Sequence, residues 1–231
     1  MCGIVGSTGL YNHKTIKKMC RVLKHRGPDS EGFYFDENIA FGMRRLKIID
    51  LDKGDQPIFN TDKSIVTVFN GEIYNYKKLR NNLKNNGIIL KTKSDTETIV
   101  FLYQKYGYDF VKELRGMFAI AIWDKRNERL VLARDRVGIK PLYYYYNNKI
   151  LLFSSEIKSL LVHPKVSKEL NFNALHHYFT FGYIPAPLSI FKNIHKVLPG
   201  HLLIYENHTI KSIKYWDVPN NDLGIDYLKN Q

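Results

Sequence analysis

Apolar residues recur along this chain at helical spacing in some stretches and in short unbroken runs in others. Ile16, Met19, Cys20 and Leu23 fall three and four apart, which predicts a helix over Lys14–Lys24. Helices are also predicted at Tyr76–Asn85 and Asp95–Tyr106. The second opens with Ser94-Asp95-Thr96-Glu97, a capping-box pattern in which Ser94 and Glu97 would satisfy free N–H groups reciprocally. Short apolar runs bounded by turn residues predict strands at Cys2–Ser7, Gly32–Phe35, Ile39–Leu46 and Ser64–Phe69, the last ending at Asn70-Gly71. Met117–Trp123 is apolar at every position, so that strand must be covered on both faces. Further strands are predicted at Arg129–Ala133, Leu142–Tyr146 and Ile150–Ser154. Helices at Glu156–Leu161 and Phe172–Phe181, a Pro-rich connector at Tyr183–Pro187 and a hairpin within Leu202–Ile213 follow.

Buried strands between flanking helices imply layers, and the short turns between successive strands favour antiparallel pairing over crossover units. From Tyr215 the chain turns polar. The expected organisation is therefore one domain over residues 1–214 and a linker or tail over 215–231. The aromatic run Tyr143–Tyr146 fits alternating strand positions better than a stacking platform.

Composition narrows the class. The 231 residues are 44% hydrophobic, which suits a soluble globular protein, and no run of about 18 apolar residues is present to span a bilayer. The opening residues lack the basic-then-apolar pattern of a secretory signal. Two cysteines make no disulfide framework, so a reducing cytoplasm is the expected location, with Cys20 buried in its helix. A net charge of +13 invites a nucleic-acid partner. The lysines, however, are spread out and often sit beside asparagine, and no finger spacing or RNP-like motif accompanies them. Neither nucleic acid nor membrane is expected as a partner. The histidines show no metal-ligand spacing, and no metal site is expected.

Candidate chemistry begins at the second residue. Methionine aminopeptidase removes an initiator methionine when a small side chain follows, and Cys2 qualifies. A chain beginning at Cys2 would carry a thiol and a free α-amine on one residue. The thiolate is the nucleophile, and an amine with a pKa of roughly 7.7–8.0 is matched to take its proton near neutrality. The competing view of the opening alone is that Cys2 is a small residue starting a buried strand.

Longer matches join that opening: Met1-Cys2-Gly3-Ile4, His25–Asp29, Arg45–Asp50, Phe69–Asn75, Ser94–Glu97, Arg115–Ala119, Ala133–Tyr143, Phe153–Lys158, Gly182–Pro187 and Leu198–His201. Together they resemble the N-terminal glutaminase domain of glutamine-dependent asparagine synthetase, a class II, N-terminal-nucleophile amidotransferase domain. The resemblance implies an α+β fold, a four-layer αββα sandwich of two antiparallel sheets between helical layers. It implies hydrolysis of L-glutamine to glutamate and ammonia without a cofactor. In the family the ammonia then passes to an ATP- and magnesium-dependent synthetase half, which no motif here matches. The expected partners are therefore L-glutamine and a synthetase domain in cis or in trans, and a homodimer is allowed.

The resemblance also assigns roles. Cys2 would be the nucleophile, and the Asn70 side-chain amide with the Gly71 backbone N–H would form the oxyanion hole. Without the flanking match, Asn-Gly after a strand would be taken for a tight hairpin turn. Arg45 would pair glutamine's α-carboxylate, Glu72 and Asp95 its α-ammonium, and backbone groups near Ile48 and Ile49 would complete the clamp. Arg44, next to Arg45 on a strand, should point the other way. Arg26, Asp29, Arg134, Asp135 and Lys140 are expected in buried or loop-fixing ion pairs. A stand-alone amidase acting on another amide and a silent binding module are the rivals.

Overall fold

The computed structural model describes residues 1–9 and 11–219. Its elements run β1 (Gly3–Thr8), α1 (His13–Arg21), β2 (Ser30–Phe35), β3 (Ile39–Arg45), β4 (Ile58–Phe59), β5 (Ile65–Ile73), α2 (Tyr76–Asn85) and α3 (Asp95–Tyr106). They continue with α4 (Phe110–Glu113), β6 (Gly116–Asp124), β7 (Arg129–Arg134), β8 (Tyr143–Asn147), β9 (Ile150–Ser154) and α5 (Ile157–Leu160). The last are α6 (Phe172–Phe181), β10 (Ile194–Lys196), β11 (His201–Glu206) and β12 (Thr209–Lys214). Two six-stranded sheets form, in the orders β10-β8-β9-β1-β3-β2 and β12-β11-β7-β6-β5-β4. Every strand pair among the described residues is antiparallel.

Strand alternation explains the layers, because successive side chains point to opposite faces. In β6, Phe118, Ile120 and Ile122 join a core shared with α2, α3 and α4, while Ala119, Ala121 and Trp123 join the core between the sheets. In β3, Phe41 and Met43 face that same inter-sheet core, and Ala40 faces a third core built on α1 and α5. Helix, sheet, sheet and helix are thus stacked around three apolar cores, the αββα sandwich expected. Tyr143–Tyr146 alternates as predicted: Tyr143 and Tyr145 pack on the α1 side, and Tyr144 and Tyr146 between the sheets. Among the described residues no helix is long and apolar enough to cross a membrane.

Two local expectations are corrected. The strand expected to end at Asn70-Gly71 does not end there: β5 continues through the pair to Ile73, with Asn70 opposite Ala119 and Gly71 opposite Phe118. Gly71 is needed for closeness, since a Cβ there would collide with the Met117 carbonyl of β6. The capping box also fails on one side. Ser94 Oγ accepts from the Thr96 N–H (3.1 Å), but Glu97 turns away to accept from the Lys91 and Thr92 N–H groups (2.7 and 2.9 Å). Arg80 on α2 is the reason: its guanidinium sits 3.3 Å from the Glu97 carboxylate, and that buried pair is stronger than a cap to one N–H. At the other end Tyr215 donates its N–H to the Gly200 carbonyl (2.9 Å) and its hydroxyl to that of Arg134 (2.7 Å). Of the expected 215–231 tail, residues 220–231 lie outside the described residues.

Candidate active site

The site is the place where the inter-sheet core runs out of apolar side chains. Ile4 of β1, Met43 of β3, Val68 of β5 and Ala119 of β6 all face that core. Two residues beyond each, at the same end of the sandwich, stand Cys2, Arg45, Asn70 and Met117. Period-two alternation therefore aims all four at one space. They line a single cavity of about 120 Å³ with Leu46, Ile48, Ile49, Gly71, Glu72 and Asp95. Every residue the sequence nominated is in its wall, and the register Gly3 opposite Arg44 sets Cys2 beside the end of β3.

Cys2 is held from its backbone. Arg26 Nε donates to the Cys2 carbonyl (2.9 Å), and Arg26 Nη1 is paired with Glu156 (3.0 Å). Burial works against the Glu156 charge, but hydrogen bonds from Arg26, His25 and Lys158 outweigh it and hold the carboxyl down at about 2. The Cys2 thiol is directed at the Leu46 carbonyl at 3.8 Å. Burial pushes that thiol up, against the pull of Leu46, the chain's amino terminus and Arg45. A thiol in such a place stays protonated until a base takes its proton.

Asn70 is 1% exposed, and its Nδ2 has no hydrogen-bond partner among the described residues. An unused buried donor costs stability, so its retention in a cavity wall is informative. The strand holding it is braced by Gln56, whose amide accepts from the Phe69 N–H (2.6 Å) and donates to the Phe69 carbonyl (3.2 Å). Gln56 so mimics a further strand where the short β4 has ended.

Arg45 is nearly fully buried. Nη1 pairs with Asp55 (2.8 Å), and Nη2 donates to the carbonyls of Ile49 (2.9 Å) and Asp50 (2.8 Å). Three of a guanidinium's five N–H donors are thus engaged. Of the backbone groups near Ile48 and Ile49 expected to complete the clamp, the Ile49 carbonyl is engaged by Arg45. Gly54 lets the loop approach, since a Cβ there would run into Arg45 Nη2. Asp95 opens α3 and also lines the cavity. Burial raises its carboxyl, against hydrogen bonds from the Ile73 and Thr96 N–H groups, and neighbouring Glu72 raises it further. Arg44 points away as expected, donating to the Gly27 carbonyl (3.0 Å) and pairing with Glu31 (2.7 Å).

A family model described as "Glutamine amidotransferase domain" matches residues 1–216. The chain belongs to this family. Among curated relatives, the glutamine-hydrolysing asparagine synthetase 1 of Bacillus subtilis is 42% identical over 207 residues, covering 87% of this chain and 33% of its own length. Asparagine synthetase 2 of the same organism is 40% identical over 244 residues, covering 100% of this chain and 32% of its own length. The amidotransferase domain thus spans about a third of the length of these relatives. Among solved structures, "the allosteric regulatory enzyme of purine biosynthesis" superposes with a TM-score of 0.70 at 20% identity, covering 95% of this chain and 50% of that one. Glutamine phosphoribosylpyrophosphate amidotransferase from B. subtilis gives 0.68 at 19%, covering 94% and 50%. At such identities the likeness is one of fold.

The charged loop residues of this amidotransferase domain depart from the ion pairs expected of them. Arg26 does form one, but Arg134 donates to the carbonyls of Gly138 (2.8 Å), Lys140 (2.9 Å) and Val197 (2.7 Å). Asp135 accepts from the N–H groups of Phe118, Ile139 and Lys140 (3.1, 2.8 and 2.9 Å), and Asp29 from that of Lys47 (2.8 Å). Irregular loops leave backbone groups unpaired, and these side chains supply the partners. Lys140 pairs with no carboxylate among the described residues. Gln56 and Met117 were not nominated from the sequence. Met117 was readable as the inward residue two before Ala119, whereas Gln56 carries no sequence signal.

Proposed function

We propose that this amidotransferase domain hydrolyses the side-chain amide of free L-glutamine, with Cys2 as an N-terminal nucleophile once Met1 is removed. The observation that carries the reading is the unpartnered Asn70 Nδ2 in the same cavity wall as Cys2: a buried donor with nothing to bind awaits a developing oxyanion. The Cys2 α-amine takes the thiol proton, and Sγ attacks the amide carbon. The carbonyl oxygen becomes an oxyanion facing Asn70 Nδ2 and the Gly71 N–H. Collapse expels ammonia, which leaves with the proton held on the amine, and a thioester remains. A water gives its proton to the amine and attacks the thioester, releasing glutamate and restoring the thiol. Arg45 pairs the α-carboxylate of glutamine, and Glu72 and Asp95 its α-ammonium, so that a free amino acid is selected over a peptide amide.

The relatives' names extend the reading. The ammonia is used, in the cytoplasm, for conversion of aspartate to asparagine by a synthetase portion in cis or in trans. ATP and Mg²⁺ belong to that portion, and glutamine hydrolysis here needs neither.

The test compares wild type with Cys2→Ala, after intact mass has established the N-terminus of each. Glutamate release should vanish in Cys2→Ala with the fold unchanged. A glutamine-like diazo ketone should add once, at Cys2, because burial pushes the Cys20 thiol up to about 12. Turnover retained in Cys2→Ala, or an adduct mapped to Cys20, overturns the assignment.

A further inference from the structure

Lys140 is 5% exposed, lies in the loop after β7 and lines the glutamine cavity. Its backbone is fixed at both ends: its N–H donates to Asp135 (2.9 Å) and its carbonyl accepts from Arg134 (2.9 Å). Among the described residues its ammonium has one partner, the Met1 thioether at 3.2 Å. A buried cation facing only a weak sulfur acceptor is costly, and the fold has not answered it with a carboxylate. The other cations near the chain's start are answered. Arg26 bonds the Cys2 carbonyl and Glu156 and reaches the Met1 sulfur only at 4.0 Å, Arg45 pairs with Asp55, and Arg134 is spent on carbonyls. Among the described residues the carboxylates facing the cavity are Glu72 from β5 and Asp95 from α3, while Asp135 is engaged by backbone N–H groups.

Met1 is joined to Cys2 by one peptide bond, so its removal uncovers the Cys2 α-amine next to the space its side chain occupied beside Lys140. We infer that Lys140 is the electrostatic partner of that amine: its ammonium beside the chain's start disfavours protonation of the amine and so leaves it able to accept the thiol proton. The inference rests on the N-terminal-nucleophile reading. Its physics is repulsion of like charges in a poorly screened place, which disfavours protonation of the amine. Glu72 and Asp95 act oppositely, and Lys140 offsets them.

The experiment is the pH profile of kcat/KM for glutamine in processed wild type, Lys140→Met, Lys140→Gln and Lys140→Arg, each with its thermal midpoint measured. The acid limb reports the free enzyme's base. Loss of the charge should move that limb up by about one pH unit in both neutral variants, so the loss at pH 6 exceeds the loss at pH 9 by about tenfold. Lys140→Arg should restore the limb towards wild type. A limb that stays in place in a folded neutral variant overturns the inference. So does a uniform loss at all pH values that Lys140→Arg fails to rescue, since that marks Lys140 as a packing residue only. If instead Cys2→Ala retains turnover, the nucleophile reading itself has failed, and that result is separate from these.

Discussion

On the proposed reading the α-carboxylate of glutamine meets the Arg45 guanidinium, which Asp55, Ile49 and Asp50 hold in place. Lysine keeps the charge but cannot hold those groups and a ligand at once. A hydrogen bond to a charged group contributes about 1.5–3 kcal/mol, or roughly a ten- to hundred-fold change in affinity. The KM for glutamine should rise by about that factor in Arg45→Lys, and further in Arg45→Ala. Glutamine amidated at its α-carboxylate should be a poor substrate for the wild type and change far less in the variants. Equal losses of kcat/KM on both substrates would make Arg45 a structural residue. That Arg45 and Cys2 share one cavity was legible because their neighbours match a family. Lys140 was legible only as a charge in a matched loop. Its lack of a carboxylate partner among the described residues depends on how that loop folds back against the chain's start, which no local pattern encodes.

At the scale of elements, the informative error is Asn70-Gly71. Local turn chemistry ends the strand there, but the pairing of β5 with β6 carries it through to Ile73. Long-range pairing overrides a short-range signal, and the glycine serves the close approach to Met117 rather than a left-handed turn. The same holds at α3, where Arg80 on a neighbouring helix draws Glu97 away from its cap. The apolar run Met117–Trp123, by contrast, stated its two-sided burial outright, because all its positions agreed. Gly71→Ala tests the strand reading. A methyl pressed against the Met117 carbonyl must part the strands beside Asn70, and overpacking of this kind costs about 1–3 kcal/mol. The thermal midpoint should fall, and kcat should fall more than KM rises, because the proposed oxyanion donors move while Arg45 and Asp95 do not. An alanine variant with wild-type midpoint and kcat would show that the strands have room there.

The whole molecule matters to the site because no single layer contains it. Cys2 and Arg45 ride on one sheet, Asn70, Gly71 and Glu72 on the other, and Asp95 on a helix beyond the second sheet. What holds the two sheets in register is the inter-sheet core, from Ile4 and Phe41 on one side to Val68 and Leu132 on the other. Catalysis should therefore last only as long as that core does. In a urea titration, glutamate release and the native tryptophan fluorescence, to which Trp123 of this core contributes beside Trp216, should be lost in one coincident transition. Leu132 is fully buried between the sheets and does not line the cavity. Leu132→Ala should cost about 2–5 kcal/mol, which lowers the urea midpoint by about 1–2 M. Both probes should shift together, and kcat without denaturant should change little. Activity lost well before the fluorescence change would mean that the N-terminal strand loosens independently. The site would then depend on β1 and its Arg26–Glu156 anchor more than on the packing of one sheet against the other.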